Sequence, residues 1–253
     1  MSLPRRYNRL LRRQLRHYAA WHPVNDPYRV GDFGAFRGGI FIKLGNITEF
    51  GVDPNPQPGA ATTKLDFTSE GVTTVRTAAG ASVDVFPDQP LEAKLDLTFS
   101  GSSSFYLRST ELSVAEMPSV DAVAHQLKGK RDPNGRRWKL RWKVIRKVYT
   151  AVDPAILASA ERDASFTLTG KADALKRLEI GHGSADITVT STKSDAIRIS
   201  GGTGPVALDL FKVRVTGSAG LESVPQLVEL DDDWDDEPED DPKDAFDMTA
   251  NGE

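Results

Sequence analysis

The chain contains no cysteine. It therefore forms no disulfide, offers no thiolate to a metal and has no sulfur nucleophile, and the absence fits a reducing compartment. Its four histidines, His17, His22, His125 and His182, stand singly rather than at metal-ligand spacing, so neither a metal nor another cofactor is expected. No run approaches the roughly eighteen apolar residues of a membrane-spanning helix, and the start of the sequence lacks the apolar core of a secretory signal. The expectation is a cytoplasmic protein. Acid is also missing early, because no Asp or Glu precedes Asp26.

What is present is ordinary in bulk and uneven in distribution. The 253 residues are 39% hydrophobic and 27% charged, the composition of a globular domain long enough to bury a core. The net charge of −4 hides two opposed parts. Residues 229 to 253 carry 13 acidic side chains against one lysine, a local charge of −12, and the rest carries 31 basic against 23 acidic, or +8. A basic body thus bears an acidic tail.

Residues 3 to 21 read as a basic amphipathic helix ended by Pro23. Leu3, Tyr7, Leu10, Leu11, Leu15 and Tyr18 recur at helical spacing, and Arg5, Arg6, Arg9, Arg12, Arg13 and Arg16 fill the positions between. Such a helix either docks its apolar stripe on a core or lies on an anionic surface. An arginine-rich, acid-poor start also fits an organelle transit peptide.

From about residue 40 the period changes to two. "KLDFTS" (64–69), "GVTTVRT" (71–77), "AKLDLTFS" (93–100), "SFYLRS" (104–109), "SFTLTG" (165–170), "ADITVTS" (185–191), "AIRIS" (196–200) and "VALDLFKVRVT" (206–216) alternate as half-buried antiparallel strands do. "DPNPQPG" (53–59) reads as a loop, and "SVDAVAHQLKGK" (119–130) as a short capped helix. The expected fold class is α+β: a twisted, mostly antiparallel sheet with an N-terminal and a mid-chain helix in a single body over 1–216. A linker and a disordered acidic tail over 217–253 follow.

Residues 31–47, "GDFGAFRGGIFIKLGNI", contain five glycines and the triplet Asp32-Phe33-Gly34. The triplet lacks the upstream catalytic loop, glycine-rich loop and strand lysine of a protein kinase. The glycines read instead as turns and close approaches framing one strand, "IFIKL". "GGTGP" (201–205) lacks the Lys-Ser/Thr of a phosphate loop, and Ser102 to Ser104 sit in no nucleophile elbow. No catalytic constellation emerges, and a non-enzyme is expected.

The strongest local signal lies at 128–147, which contains a turn at "DPNG" (132–135). It holds ten cations, Lys128, Lys130, Arg131, Arg136, Arg137, Lys139, Arg141, Lys143, Arg146 and Lys147, with one acid and two tryptophans, Trp138 and Trp142. Read as a strand, it puts Trp138, Leu140, Trp142 and Val144 on one face and mostly cations on the other. An exposed strand face paired with acids elsewhere would account for it. So would a nucleic-acid surface, where cations meet phosphate and aromatics stack on bases, or an acidic membrane, which attracts the cations electrostatically and tryptophan at its interface. The tail, through Asp231, Asp232, Asp233, Asp235 and Asp236 with Trp234 and Phe246, either solvates the chain or mimics an anionic surface for the body.

The basic helix, the glycine-rich lead-in "VGDFGAFRGGIFIKLGNI", the strand "RWKVIRKVYTA" and the stretch "ASFTLTGKADALKRLEIGHGSADITV" resemble the pore-forming body of gasdermins, above all the short bacterial and fungal type. The resemblance covers most of residues 1–216. It implies a soluble, autoinhibited protein released by a protease, which then binds acidic phospholipid, moves to the cell membrane, homo-oligomerises and opens a pore in cell-death or antiviral defence. The chain departs from that pattern in two ways: it lacks the lipid-modified cysteine usual in bacterial members, and its C-terminus is dominated by acid. The other expectations are a binding module for nucleic acid or another anionic partner, with the tail limiting non-specific contact, and a structural assembly protein.

Overall fold

A computed structural model describes residues 3–21, 27–59, 65–68, 72–78, 92–100, 104–109, 111–159, 162–171, 188–191, 196–200, 202–215 and 225–229. The first helix, α1 (Leu3–Leu15), carries the predicted stripe inward: Tyr7 and Leu11 are wholly buried. It ends well before Pro23. Arg16 takes a left-handed φ of 61° and turns the chain into the short strand β1 (Tyr18–Ala19). The buried Asn8 of α1 accepts the Ala19 N–H at 2.8 Å, which fastens helix to strand.

The glycine-rich lead-in makes a hairpin, β2 (Asp32–Arg37) and β3 (Ile40–Asn46). "DFG" is therefore strand. Its Asp32 is fully buried, paired with Lys43 Nζ at 2.8 Å and accepting from Asn46 Nδ2 at 2.9 Å and the Arg29 N–H at 2.8 Å. Phe33 enters the core, and a side chain at Gly34 would strike the Ile42 carbonyl oxygen. Asn46 caps a 3-10 turn (Ile47–Phe50) in a reciprocal box with Glu49. The two-residue β4 (Gln57–Pro58) follows within the expected loop.

Four strands come next: β5 (Leu65–Thr68), β6 (Val72–Ala78), β7 (Glu92–Phe99) and β8 (Ser104–Ser109). Then come β9 (Glu111–Glu116), α2 (Val120–Leu127) and β10 (Lys143–Val152). The chain continues through β11 (Ala155–Ser159), β12 (Ala164–Lys171), β13 (Thr188–Ser191) and β14 (Ala196–Ser200). It closes with β15 (Thr203–Val215) and β16 (Pro225–Glu229). Every ladder is antiparallel. The expected class, a mostly antiparallel α+β fold with two helices, is the observed one.

The strands divide among three sheets. The eight-stranded sheet runs β1-β15-β10-β2-β3, with β16 also on β15, β9 also on β10 and β4 on β9. The two four-stranded sheets are β14-β11-β8-β5 and β13-β12-β7-β6. One apolar cluster lies under the large sheet around Phe33, Trp138, Trp142 and Val144. A second joins Tyr7 and Leu11 of α1 to Phe105, Leu107, Ile156 and Ala158.

Two further boundaries differ from the sequence reading. The segment expected to be strand from about residue 136 makes only an isolated bridge, Arg137 to Arg131, before it joins the sheet at Lys143, because Trp138 and Trp142 are drawn into the core and the chain between them turns, with the Trp142 N–H donating to the Lys139 carbonyl at 3.0 Å. Part of the segment read as linker forms β16, which pairs with Phe211–Val215 of β15. The acidic residues Asp231, Asp232, Asp233, Asp235 and Asp236, with Trp234 and Phe246, lie outside the described residues.

Candidate membrane interface

The two small sheets are assembled from the same two hairpins. β5 then β6 forms one arm and β7 then β8 returns along it, so that β6 pairs with β7 and β5 with β8. Likewise β11 then β12 runs out and β13 then β14 comes back, pairing β12 with β13 and β11 with β14. The hairpins are joined side by side through β7–β12 and β8–β11. The result is a two-tier ribbon of four arms in the same order in both tiers. The two described strands of each arm together hold at least nine residues, comparable with the ~9–11 that a tilted strand needs to cross a bilayer core.

The β7–β12 pair is amphipathic. Leu97 and Phe99 of β7 and Ala164, Phe166 and Leu168 of β12 are buried on one face, where the Phe99 and Phe166 rings lie 4.8 Å apart. On the other face Thr167 Oγ1 donates to Asp96 Oδ1 at 2.6 Å, and Thr98 is exposed. This is the dyad repeat of apolar and polar side chains that bilayer-spanning strands require. At the base of the ribbon both faces are covered, since Phe105, Tyr106 and Leu107 are all buried and α1 packs there through Tyr7, stacked on Phe105 at 4.8 Å. Burial raises the Tyr7 hydroxyl pKa above its ordinary value.

The arginines of α1 flank this docked stripe. Arg5, Arg6, Arg9 and Arg12 are half-buried, Arg16 is exposed, and the Arg12 guanidinium sits 4.9 Å over the Tyr18 ring. The Arg13 side chain lies outside the described residues. Beyond the helix, His17 Nδ1 meets Asp209 Oδ1 of β15 at 2.7 Å, while the Tyr149 hydroxyl of β10 donates to Asp209 Oδ2 at 3.0 Å. Arg146 approaches the same carboxylate at 4.0 Å. Burial first, and then the Asp209 charge, raises the Tyr149 pKa. These side chains lie far apart in sequence and form no recognisable motif, so sequence reasoning missed them.

The cations of 128–147 separate into two groups. Arg136 is committed to the fold: it pairs with Asp132 at 3.0 Å and Glu49 at 2.6 Å, and lies 5.5 Å over the Phe33 and Phe50 rings. Lys143 is buried, its ammonium 5.6 Å from the Phe36 ring centre. Lys147 pairs with Glu116 at 2.6 Å, and Arg146 belongs to the Asp209 group. The second group, Lys128, Lys130, Arg131 and Arg137, is exposed, with Lys139 and Arg141 half-exposed. Lys130, Arg131, Arg137 and Lys139 make no ion pair among the described residues.

The connector that presents this second group, 128–142, is held rigidly. Asp132 accepts the Asn134 and Arg136 N–H groups at 3.0 and 2.7 Å and closes the DPNG turn, while the Trp138 N–H donates to the Lys130 carbonyl. Trp138 and Trp142 are only 7% and 3% exposed, packed edge-on to each other and against Phe33 and Phe50. They anchor the connector from beneath and are not available to stack on bases or rest at a lipid interface. Between them Leu140 is 43% exposed, the large apolar side chain that stands out among the described residues.

No helix of the described residues is long and apolar enough to cross a membrane. No protein-family profile matches the chain, and no curated protein matches it. A search of solved structures finds a similarity to the cryo-EM structure of the gasdermin A3 membrane pore, at 13% identity over 91% of this chain and 96% of that one, with a TM-score of 0.31.

Proposed function

We propose that the protein is a gasdermin-like pore former that acts without catalysis. Its basic face binds acidic phospholipid, and its two hairpins cross the bilayer as strands of a homo-oligomeric barrel. The observation that carries this reading is the side-by-side pairing of the two hairpins into a four-arm ribbon with an amphipathic β7–β12 pair. The unpaired cations of the connector support the lipid preference, since each contributes about 1 kcal/mol near an anionic surface. The acidic C-terminal segment holds the chain in a cytoplasmic, inactive form until a protease removes it, as in cell-death defence. The nucleic-acid alternative is weakened by the burial of both connector tryptophans, which leaves them no face for a base.

Dye-loaded vesicles test the proposal. A protease site placed directly after Glu229 leaves β16 on β15; a cut near Gly217 would strip it. Cleaved chain is expected to empty phosphatidylserine vesicles and leave pure phosphatidylcholine vesicles sealed, while uncut chain empties neither. Intact phosphatidylserine vesicles after complete cleavage would overturn the proposal.

A further inference from the structure

The isolated bridge at the tip of the connector sets two arginines directly against each other. Arg131 and Arg137 are antiparallel partners. They are flanked by the Asp132 N–H donating to the Arg136 carbonyl and the Trp138 N–H donating to the Lys130 carbonyl, each at 3.0 Å. That is the pattern of a non-hydrogen-bonded pair, in which the Cα atoms lie about 4.5 Å apart and both side chains leave the hairpin on one face. The opposite face carries Asp132 and Trp138, which are buried, and Arg136, which is half-buried. Like charges placed directly opposite repel each other. Neither arginine makes an ion pair among the described residues, and the carboxylates close by, Asp132 and Glu49, are turned to Arg136. Both arginines are exposed, on a turn held in one shape by Asp132 and by Gly135 at a φ of +79°. Arg131 Nη1 donates to the Gly135 carbonyl at 2.9 Å, which lays the guanidinium across the tip and leaves its other four N–H groups.

We infer that Arg131 and Arg137 form a clamp for a phosphomonoester dianion, free in solution or carried on a lipid headgroup. A phosphomonoester has close to two negative charges at pH 7 and three strong acceptor oxygens. One such group therefore neutralises both arginines and turns a repelling pair into a bridged one. A carboxylate or a phosphodiester brings a single charge and leaves half of the repulsion in place. The residue type fits as well, because the planar guanidinium fork meets phosphate oxygens two at a time, which an ammonium does not. The clamp goes beyond the proposed attraction to acidic phospholipid. That attraction sums charge over a surface, whereas a facing arginine pair discriminates by the ionisation state of one anion and needs no membrane to do so.

The test titrates the full chain with glycerol 3-phosphate and with glycerophosphocholine, a matching diester, at fixed ionic strength, and follows the amide resonances of residues 130–139. The monoester is expected to shift these resonances saturably and to bind about tenfold more tightly than the diester. Lowering the pH from about 7.5 to about 5.5 returns a proton to the phosphate, whose second pKa is near 6, and is expected to weaken binding about fourfold. Arg131→Gln and Arg137→Gln are each expected to lower the affinity about tenfold. Neither should lower Tm, because each removes a like-charge contact and leaves the Asp132 turn intact. Phosphatidylcholine vesicles doped with phosphatidic acid, a monoester, or with phosphatidylglycerol, a diester, at equal surface charge form the lipid arm. Binding of glycerol 3-phosphate supports the clamp with a ligand in solution. Binding of the phosphatidic acid vesicles alone, lost in both Gln variants, supports it with a lipid ligand. Equal affinity for monoester and diester, affinity unchanged in both variants, or no binding of either monoester probe would each overturn the inference. The result is independent of the pore-forming reading, which dye release from phosphatidylserine vesicles decides separately.

Discussion

Two adjacent glycines separate the cost of a backbone conformation from the cost of moving a helix. Gly38 and Gly39 form the β2–β3 turn, with φ of +60° and +84°. A methyl group on Gly38 meets nothing within 4 Å, whereas on Gly39 it falls 2.4 Å from the Arg5 Cα and 2.7 Å from the Arg5 nitrogen, both backbone atoms of α1. Gly38→Ala therefore incurs only the left-handed penalty of about 1 kcal/mol. Gly39→Ala incurs the same penalty and also forces α1 outward, loosening Tyr7 and Leu11, which are wholly buried. Full exposure of two such side chains costs about 4 kcal/mol, and partial withdrawal about half of that. At ~2–4 °C per kcal/mol for a chain of this size, Gly38→Ala should lower Tm by about 3 °C and Gly39→Ala by about 8–10 °C. Thermal unfolding followed by circular dichroism gives both numbers. Amide hydrogen exchange of residues 7–15 should accelerate in Gly39→Ala alone. Equal Tm losses, or exchange unchanged in both, would refute the seating of α1 on this turn.

Asp32→Ala should cost about 2–3 kcal/mol, because the Arg29 N–H and the Asn46 amide lose a buried acceptor while Lys43, 38% exposed, keeps its water. The check is chemical denaturation at unchanged m-value; a loss below about 1 kcal/mol would mean the buried carboxylate is not holding the hairpin. The pH dependence has a definite sign. Tyr7 and Tyr149 have raised pKa values in the folded state, so the unfolded chain loses these protons first. Their contribution is complete below the ordinary tyrosine value of about 10 and is lost as pH rises above it. Tyr7→Phe should flatten the alkaline limb of the stability curve; a limb equally steep in the variant would contradict the burial argument.

How much of this was legible in the sequence varies with the physics of each element. Strands whose residue types alternate announced themselves: β8 and β14 have the boundaries expected from alternation, and β7 and β12 lie within a residue of theirs. Strands without that alternation did not. In β2, Asp32 to Phe36 are all buried, and in β11 every residue from Ala155 to Ser159 is, so neither shows a period of two. The strand β9 does alternate, with Leu112 and Val114 inward, and was overlooked beside its stronger neighbour. For the basic segment, charge was readable and geometry was not. Phe33 and Phe50, about 90 to 110 residues upstream, pull Trp138 and Trp142 inward, and no local pattern reports such a partner. The same holds for the Asp209 cluster and for which hairpin arms lie side by side.

The outer edge of β15 is covered by two short strands, β1 and β16. β1 occupies Ala207 and Leu208, and β16 occupies Phe211 to Val215. An open strand edge is a template for any other strand that meets it, and proteins usually guard it with charge, proline or a covering loop. Here the guard is two short strands, β1 and β16, set one after the other along β15. Any change that unseats either one bares part of that edge and offers it to another strand, so association of copies is the expected cost of disturbing β1 or β16.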